Sequence, residues 1–190
     1  MDTIGHDDEA HIRKLAAMGV VDGYGGGVFG PEDSVTREQF AKLLVLSAGI
    51  DVSGAITGLD FADNFQISNW AKPYVAAAVE KGLIAGMGNN MFAPRANVTR
   101  AQALTMIARV FMGDEALTSM AGANSPTGFT DDWLIPGWAR PAVNYALNRE
   151  IVSIKDFRNL APDQYSSRAM CCRFLSRFVD AKDLFTDSVA

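Results

Sequence analysis

The sequence predicts an all-α fold, three helix-turn-helix repeats around a central three-helix bundle, on three observations. A short phrase recurs three times. Gly30-Pro31 leads to Val35-Thr36-Arg37-Glu38-Gln39, Ala93-Pro94 to Val98-Thr99-Arg100-Ala101-Gln102, and Ala161-Pro162 to Ser166-Ser167-Arg168-Ala169-Met170. The prolines are 63 and then 68 residues apart, and so are the arginines. Each phrase opens a segment apolar around most of a helix, as a buried helix requires. Apolar residues make up 48% of the 190 residues, enough for a core. One unit of this size buries too little apolar surface to stand alone, so the copies pack into one domain, 1–190. The repeats are 1–50, 60–112 and 128–180, followed by a closing segment, 181–190.

Each repeat reads as a first helix, a glycine-rich turn and a second helix. Phe61-Ala62-Asp63 leads to Trp70-Ala71-Lys72-Pro73, and Phe129-Thr130-Asp131 to Trp138-Ala139-Arg140-Pro141. Proline suits a first helical turn, where its missing N–H costs nothing. The first helices follow at 12–18, 74–81 and 142–149. Val75, Ala78 and Val79 share one face, as do Val143, Ala146 and Leu147. Gly19 and Gly82 offer left-handed caps, whereas the third repeat has the less comfortable Glu150. The turns run Gly23-Tyr24-Gly25-Gly26-Gly27, then Gly86-Met87-Gly88-Asn89-Asn90, then a glycine-free Ser153-Ile154-Lys155-Asp156.

The second helices start at capping boxes, Thr36 with Gln39 and Thr99 with Gln102. Ser167 keeps the cap, but Met170 cannot return the bond. The arginine takes the first helical position, beside N–H groups that favour an anion. Phe40, Leu43 and Leu44 match Ala103, Met106 and Ile107, then Cys171, Phe174 and Leu175. These helices form the central bundle. The joints are 51–60 and 113–128, the second reading as a flexible link. Repeat one lacks the opening Phe-x-Asp, and the C-terminal Phe185-Thr186-Asp187 is expected to take its place and close a pseudo-threefold ring.

Composition excludes several functions. A net charge of −5 argues against nonspecific nucleic-acid binding. No apolar run has membrane-spanning length. Cys171 and Cys172 are neighbours on a helix and read as small core residues, with no disulfide framework and no zinc spacing. His6 and His11 read as surface histidines. Gly23 to Gly27 lack the strand and Lys-Ser/Thr of a phosphate loop. Asp131-Asp132 has no pocket signature around it. No nucleophile–base pair, metal set or cofactor motif stands out, so the chain is expected to bind rather than catalyse.

The repeat is similar to that of the S-layer homology domain: Phe-x-Asp, Trp-Ala, a Gly-Tyr turn, Phe-x-Pro, then Thr-Arg-Ala-Glu. Gly23-Tyr24, Phe29-Gly30-Pro31 and Thr36-Arg37 carry it in repeat one. Phe61, Asp63, Trp70-Ala71, Gly86, Phe92-Ala93-Pro94 and Thr99-Arg100-Ala101 carry it in repeat two. Phe129, Asp131, Trp138-Ala139, Pro162 and Ser167-Arg168-Ala169 carry it in repeat three. The resemblance implies a three-pronged, pseudo-threefold domain at a bacterial cell surface, extracellular, with no membrane insertion. It implies noncovalent anchoring to secondary cell-wall polysaccharide, often through pyruvylated N-acetylmannosamine, beside other surface-layer proteins. No secretory signal is visible at Met1, so the chain reads as an excised module of such a surface protein.

That ligand suits the residues. A pyruvyl ketal presents a carboxylate, which a guanidinium fork binds bidentately. Sugar C–H faces can lie on Trp70, Trp138 or Tyr24. Gly23 and Gly86 let backbone N–H groups approach a hydroxyl. The expected grooves lie between copies, Arg37 with residues around Trp70, then Arg100 with Trp138. Arg168 stands balanced between ligand and structural roles, as do both tryptophans. Asp63 and Asp131 are candidates whose commoner role is to cap a turn. Departures from the family pattern are Gln39, Gln102 and Met170 for its Glu, Asp7 for its first Trp, and the glycine-free third turn, so at least one groove is expected to be silent. The alternative reading is an assembly module for self-association or a partner protein.

Overall fold

The computed structural model describes residues 2–55, 58–120 and 125–187, the last four by backbone alone. Among the described residues six α-helices carry the fold: α1 (Glu9–Ala17), α2 (Arg37–Ala48), α3 (Lys72–Glu80), α4 (Arg100–Ser119), α5 (Arg140–Asn148) and α6 (Arg168–Asp187). Short 3-10 turns at Asn64–Gln66 and Asp132–Leu134 precede α3 and α5. Among the described residues the only β pairing is isolated bridges.

Local chemistry sets the helix limits. Thr36 and Thr99 accept from the N–H of Gln39 and Gln102, whose side chains accept from the cap N–H in return. Ser167 accepts from Met170 N alone. Gly19 and Gly82 lie in the left-handed region at φ 69° and 67°, and Glu150 is held there at φ 56°. An L-residue is strained at that angle, which glycine avoids.

α2, α4 and α6 pack pairwise at the centre, and each outer helix leans on the second helix of the preceding repeat: α3 on α2, α5 on α4, α1 on α6. Phe40, Leu44, Leu104, Ile107, Phe174 and Phe178 are fully buried there. Each such side chain contributes about 1.5–3 kcal/mol. Three equivalent residues complete the cycle. Val35 N donates to Ser166 O (3.1 Å), Ser166 N to Val98 O (2.8 Å) and Val98 N to Val35 O (2.9 Å).

The opening of repeat one departs from expectation. Asp2 accepts from Phe29 N (2.7 Å) and Gly30 N (2.8 Å). Asp63 does the same for Phe92 and Ala93, and Asp131 for Leu160 and Ala161. The missing aspartate is therefore Asp2. The Gly30 and Phe29 N–H groups hold its carboxyl below the usual range. The segment Phe185-Thr186-Asp187 continues α6 as helix, and its side chains lie outside the described residues.

The second joint also differs. Gly113 breaks α4 with φ 75° and ψ 166°, after which the chain turns helical again to Ser119. Leu117 is buried against Ala108 and Ala142. An apolar side chain with somewhere to pack overrides the linker-like composition around it.

Candidate functional site

The arginines begin their helices, but the helix N-termini are closed to an anion. Arg37, Arg100 and Arg168 donate their own N–H groups to Ala96, Gln164 and Asp33 carbonyls of the adjoining repeat. The next N–H groups, of Glu38, Ala101 and Ala169, go to Pro94, Pro162 and Pro31 carbonyls. The first-turn donors are thus used up in joining the repeats.

The guanidinium groups turn onto neighbouring backbone rather than onto carboxylates. Arg37 is 2% exposed and donates to Phe92 O and Ala85 O, both at 2.9 Å. Arg168 repeats this on Phe29 O (2.9 Å) and Asp22 O (2.7 Å), with its guanidinium over the Phe29 and Tyr24 rings. Among the described residues Arg100 keeps only the Leu160 O bond (2.9 Å), lies over Phe157, and leaves its Nε buried without a partner. Burial, reinforced by the charge of Arg109, lowers the Arg37 pKa to about 10, so Arg37 stays charged at neutral pH. Burial also lowers that of Arg100, against an opposing pull from Asp131.

Each arginine lies at the edge of a cleft between repeats. The Arg37 cleft, about 280 Å³, is walled by Gly86, Gln102, Thr105, Arg109 and Trp138. The Arg168 cleft, about 190 Å³, is walled by Asp22, Gln39, Lys42 and Trp70. The Arg100 cleft, about 390 Å³, contains Asp7, Asp8, Glu32, Tyr165 and Arg173. The tryptophans are half exposed, Trp70 at 48% and Trp138 at 51%. Arg37 therefore shares its cleft with Trp138, not Trp70, and Trp70 belongs with Arg168. Arg100 faces Asp7 where the other clefts have tryptophan. The pairing expected from sequence is displaced by one repeat, because each outer helix packs on the preceding repeat's second helix.

Charge separates the clefts further. In the Arg37 cleft Arg109 pairs with Asp114 at its rim, while Arg37 forms no ion pair among the described residues. In the Arg168 cleft the Lys42 ammonium lies 6.0 Å from the Trp70 ring centre. The Arg100 cleft carries its own acids: Arg173 pairs with Asp8, and His6 with Glu32.

The other candidates have structural partners. Asp63 and Asp131 are buried with both carboxylate oxygens accepting backbone N–H groups. A Cβ on Gly23 would sit 2.7 Å from Val28 O, and one on Gly86 3.0 Å from Met91 O. Glycine is needed there for the turn's own closure, since Tyr24 N donates to Val28 O and Met87 N to Met91 O. Tyr24 is exposed beside Arg168. His11 is no surface histidine: it is half buried against Ser176 of α6.

Lys42 and Arg109 were not singled out from the sequence. The available signal was a polar stripe on an apolar helix, Gln102, Thr105 and Arg109 falling at i, i+3 and i+7 of α4. Glu38 was missed as well. It is buried and accepts from Ser68 N and Ser68 Oγ, which fixes the segment leading to Trp70.

Comparison with known proteins gives the same repeat a family. The S-layer homology domain model matches residues 2–41 and 60–104. An endoglucanase of Bacillus sp. (strain KSM-635) is 30% identical over 166 residues, 87% of this chain and 17% of the relative. S-layer protein EA1 of Bacillus anthracis is 26% identical over 174 residues, 90% of this chain and 19% of the relative. A cellulosome-anchoring protein of Acetivibrio thermocellus is 29% identical over 106 residues, 52% of this chain and 22% of the relative. The chain spans about a fifth of the length of each. Among the described residues no helix is long and apolar enough to cross a membrane. In this helical domain of repeats, with their capped Thr/Ser-Arg helix starts and aspartate-tied turns, residues 2–41 and 60–104 match the S-layer homology family.

Proposed function

We propose that the chain is a non-catalytic anchor that holds a larger protein at the bacterial cell surface by binding secondary cell-wall polysaccharide. Similar segments occur in an endoglucanase, an S-layer protein and a cellulosome-anchoring protein, the last two named for a surface layer and for anchoring, and no single chemistry unites the three names. The observation that carries the finer reading is the Arg37 cleft. A charged guanidinium with no ion-pair partner among the described residues stands there beside a half-exposed tryptophan. A pyruvyl carboxylate completes the electrostatics, and a sugar face covers the indole. The Arg168 cleft, with Lys42 and Trp70, is the second site. The Arg100 cleft, neutralised by Asp8 and Glu32 and lacking an aromatic wall from repeat one, is silent.

Calorimetric titration with purified wall polymer, pyruvylated and depyruvylated, tests this. Saturable binding of the pyruvylated polymer, at least tenfold tighter than of the depyruvylated one, is expected. Equal binding of both would remove the carboxylate from the recognition. Failure to bind either polymer or intact walls would end the anchoring role.

A further inference from the structure

The two clefts proposed to take wall polymer share one departure from the family pattern. Gln39 walls the Arg168 cleft and Gln102 the Arg37 cleft, each where the pattern has Glu, while the Arg100 cleft has Met170 at that place. Each glutamine also closes a capping box. Its Oε1 accepts from the cap N–H, Thr36 N at 2.9 Å and Thr99 N at 3.1 Å. This bond fixes the amide. With the oxygen turned onto the backbone, the side chain has its two Nε2–H donors left for the cleft. Among the described residues the Nε2 of Gln39 has no acceptor, and that of Gln102 has only the Met87 thioether at 3.8 Å. A thioether is a weak acceptor, so both amides remain open to a ligand.

The surroundings select the ligand atom. Arg37 and Arg109 stand beside Gln102, and among the described residues no carboxylate walls that cleft. In the Arg168 cleft Asp22 is outweighed by Arg168 and Lys42. A glutamate at either position would cap the helix equally well, but it would turn a second acceptor oxygen and a negative charge into the cleft. The Arg100 cleft, with its Asp7, Asp8 and Glu32, receives no such donor from Met170. Amide donor and excess positive charge occur together in two clefts and are lost together in the third.

From this concordance we infer that Gln39 and Gln102 are ligand-selecting residues, each donating an Nε2–H to a carboxylate oxygen of the ligand. The inference rests on the anchoring reading for the source of that carboxylate, the pyruvyl group of the wall polymer, and not for the donor itself.

Two-dimensional amide NMR of the chain, titrated with sodium pyruvate against a sodium chloride control, reads the donors directly. The side-chain amides of Gln39 and Gln102 are expected to shift with pyruvate alone. Those of Gln66, on a 3-10 turn, and Gln164, in the Arg100 cleft, are expected to stay in place. Gln39 and Gln102 amides that move no further than these two would overturn the inference. The double variant Gln39→Glu/Gln102→Glu separates selection from capping. Its carboxylates can accept from Thr36 N and Thr99 N as the amide oxygens do, and a negative charge near a helix start is favourable, so the melting temperature is expected to hold. Its calorimetric affinity for the pyruvylated polymer is expected to fall at least tenfold. Affinity equal to that of the unaltered chain would also overturn the inference. An unaltered chain that binds no polymer would end the anchoring role alone, and the pyruvate titration would still decide the glutamines.

Discussion

Arg37 donates its Nε–H to the Phe92 carbonyl at 2.9 Å while its guanidinium carbon lies 5.2 Å from the centre of the Phe92 ring. One residue of the adjoining repeat thus grips the arginine by both backbone and side chain. Arg168 meets Phe29 in the same way, at 2.9 Å and 4.3 Å. The arginine proposed to meet the ligand is thus also a joint of the scaffold, so its removal is expected to act on both. Arg37→Ala leaves the Phe92 and Ala85 carbonyls without this donor and costs about 2 kcal/mol or more. In a chain of this size that lowers the melting temperature by roughly 4–8 °C. Thermal denaturation measures it, and an unchanged melt would deny the joint.

Trp138→Ala separates binding from folding better than Arg37→Ala, because the indole makes none of the backbone joints. The indole is half exposed, so its removal costs less than the loss of a fully buried Trp, about 3–5 kcal/mol. Affinity for the pyruvylated polymer is expected to fall about tenfold, or ~1.4 kcal/mol. Trp70→Ala acts on a separate cleft, and the two losses should add. Titration of the single and double variants checks this.

Asp63→Asn should destabilise repeat two by about 1.5–3 kcal/mol, the range for hydrogen bonds to a charged group. The carboxylate is buried and ties Phe92 N and Ala93 N together. Asp2→Ala should release the same turn in repeat one, and hydrogen exchange at Phe29 and Gly30 should rise. Unchanged exchange there would remove Asp2 from its assigned place.

His11 gives the α1–α6 contact a pH dependence. Burial, then the charge of Arg177, lowers its pKa from 6.5, with Asp8 opposing and Arg173 and Asp156 also facing the ring. The folded state favours neutral imidazole more than the unfolded state does. Its contribution is present above pH 6.5 and is lost as pH falls through the lower folded pKa. Urea midpoints should therefore drop below pH 6.5, and His11→Gln should flatten that slope.

Cys171 and Cys172 should resist thiol reagents until the chain unfolds. Both are buried, and burial pushes the Cys172 thiol up to about 12 and that of Cys171 higher still. The thiolate is the reactive form. Labelling with a disulfide reagent in buffer and in denaturant separates the two states, and rapid reaction in buffer would contradict the core placement.

Elements specified by neighbours in the chain were legible. Thr36, Gln39, Thr99 and Gln102 mark helix starts because the capping box closes within four residues. Gly19 and Gly82 mark helix ends because a left-handed cap is a property of one residue. Asp2 is not legible in the same way because its partners, Phe29 N and Gly30 N, lie 27 and 28 residues further on. Leu117 reads as linker in the sequence because its packing partners, Ala108 and Ala142, are brought to it only where α4 and α5 meet.

The sequence alone determined the three repeats, the all-helical class, the capped starts of the second helices and the presence of an arginine at each of them. All of these follow from contacts within one repeat or from its recurrence. Only the tertiary structure decided that Arg37 faces Trp138, that Arg168 faces Trp70 and that Arg100 faces acids. Each cleft draws its walls from different repeats, and the order in which they meet is set by α1 packing on α6, α3 on α2 and α5 on α4. That choice belongs to the burial of whole helix faces, which no single segment of chain specifies.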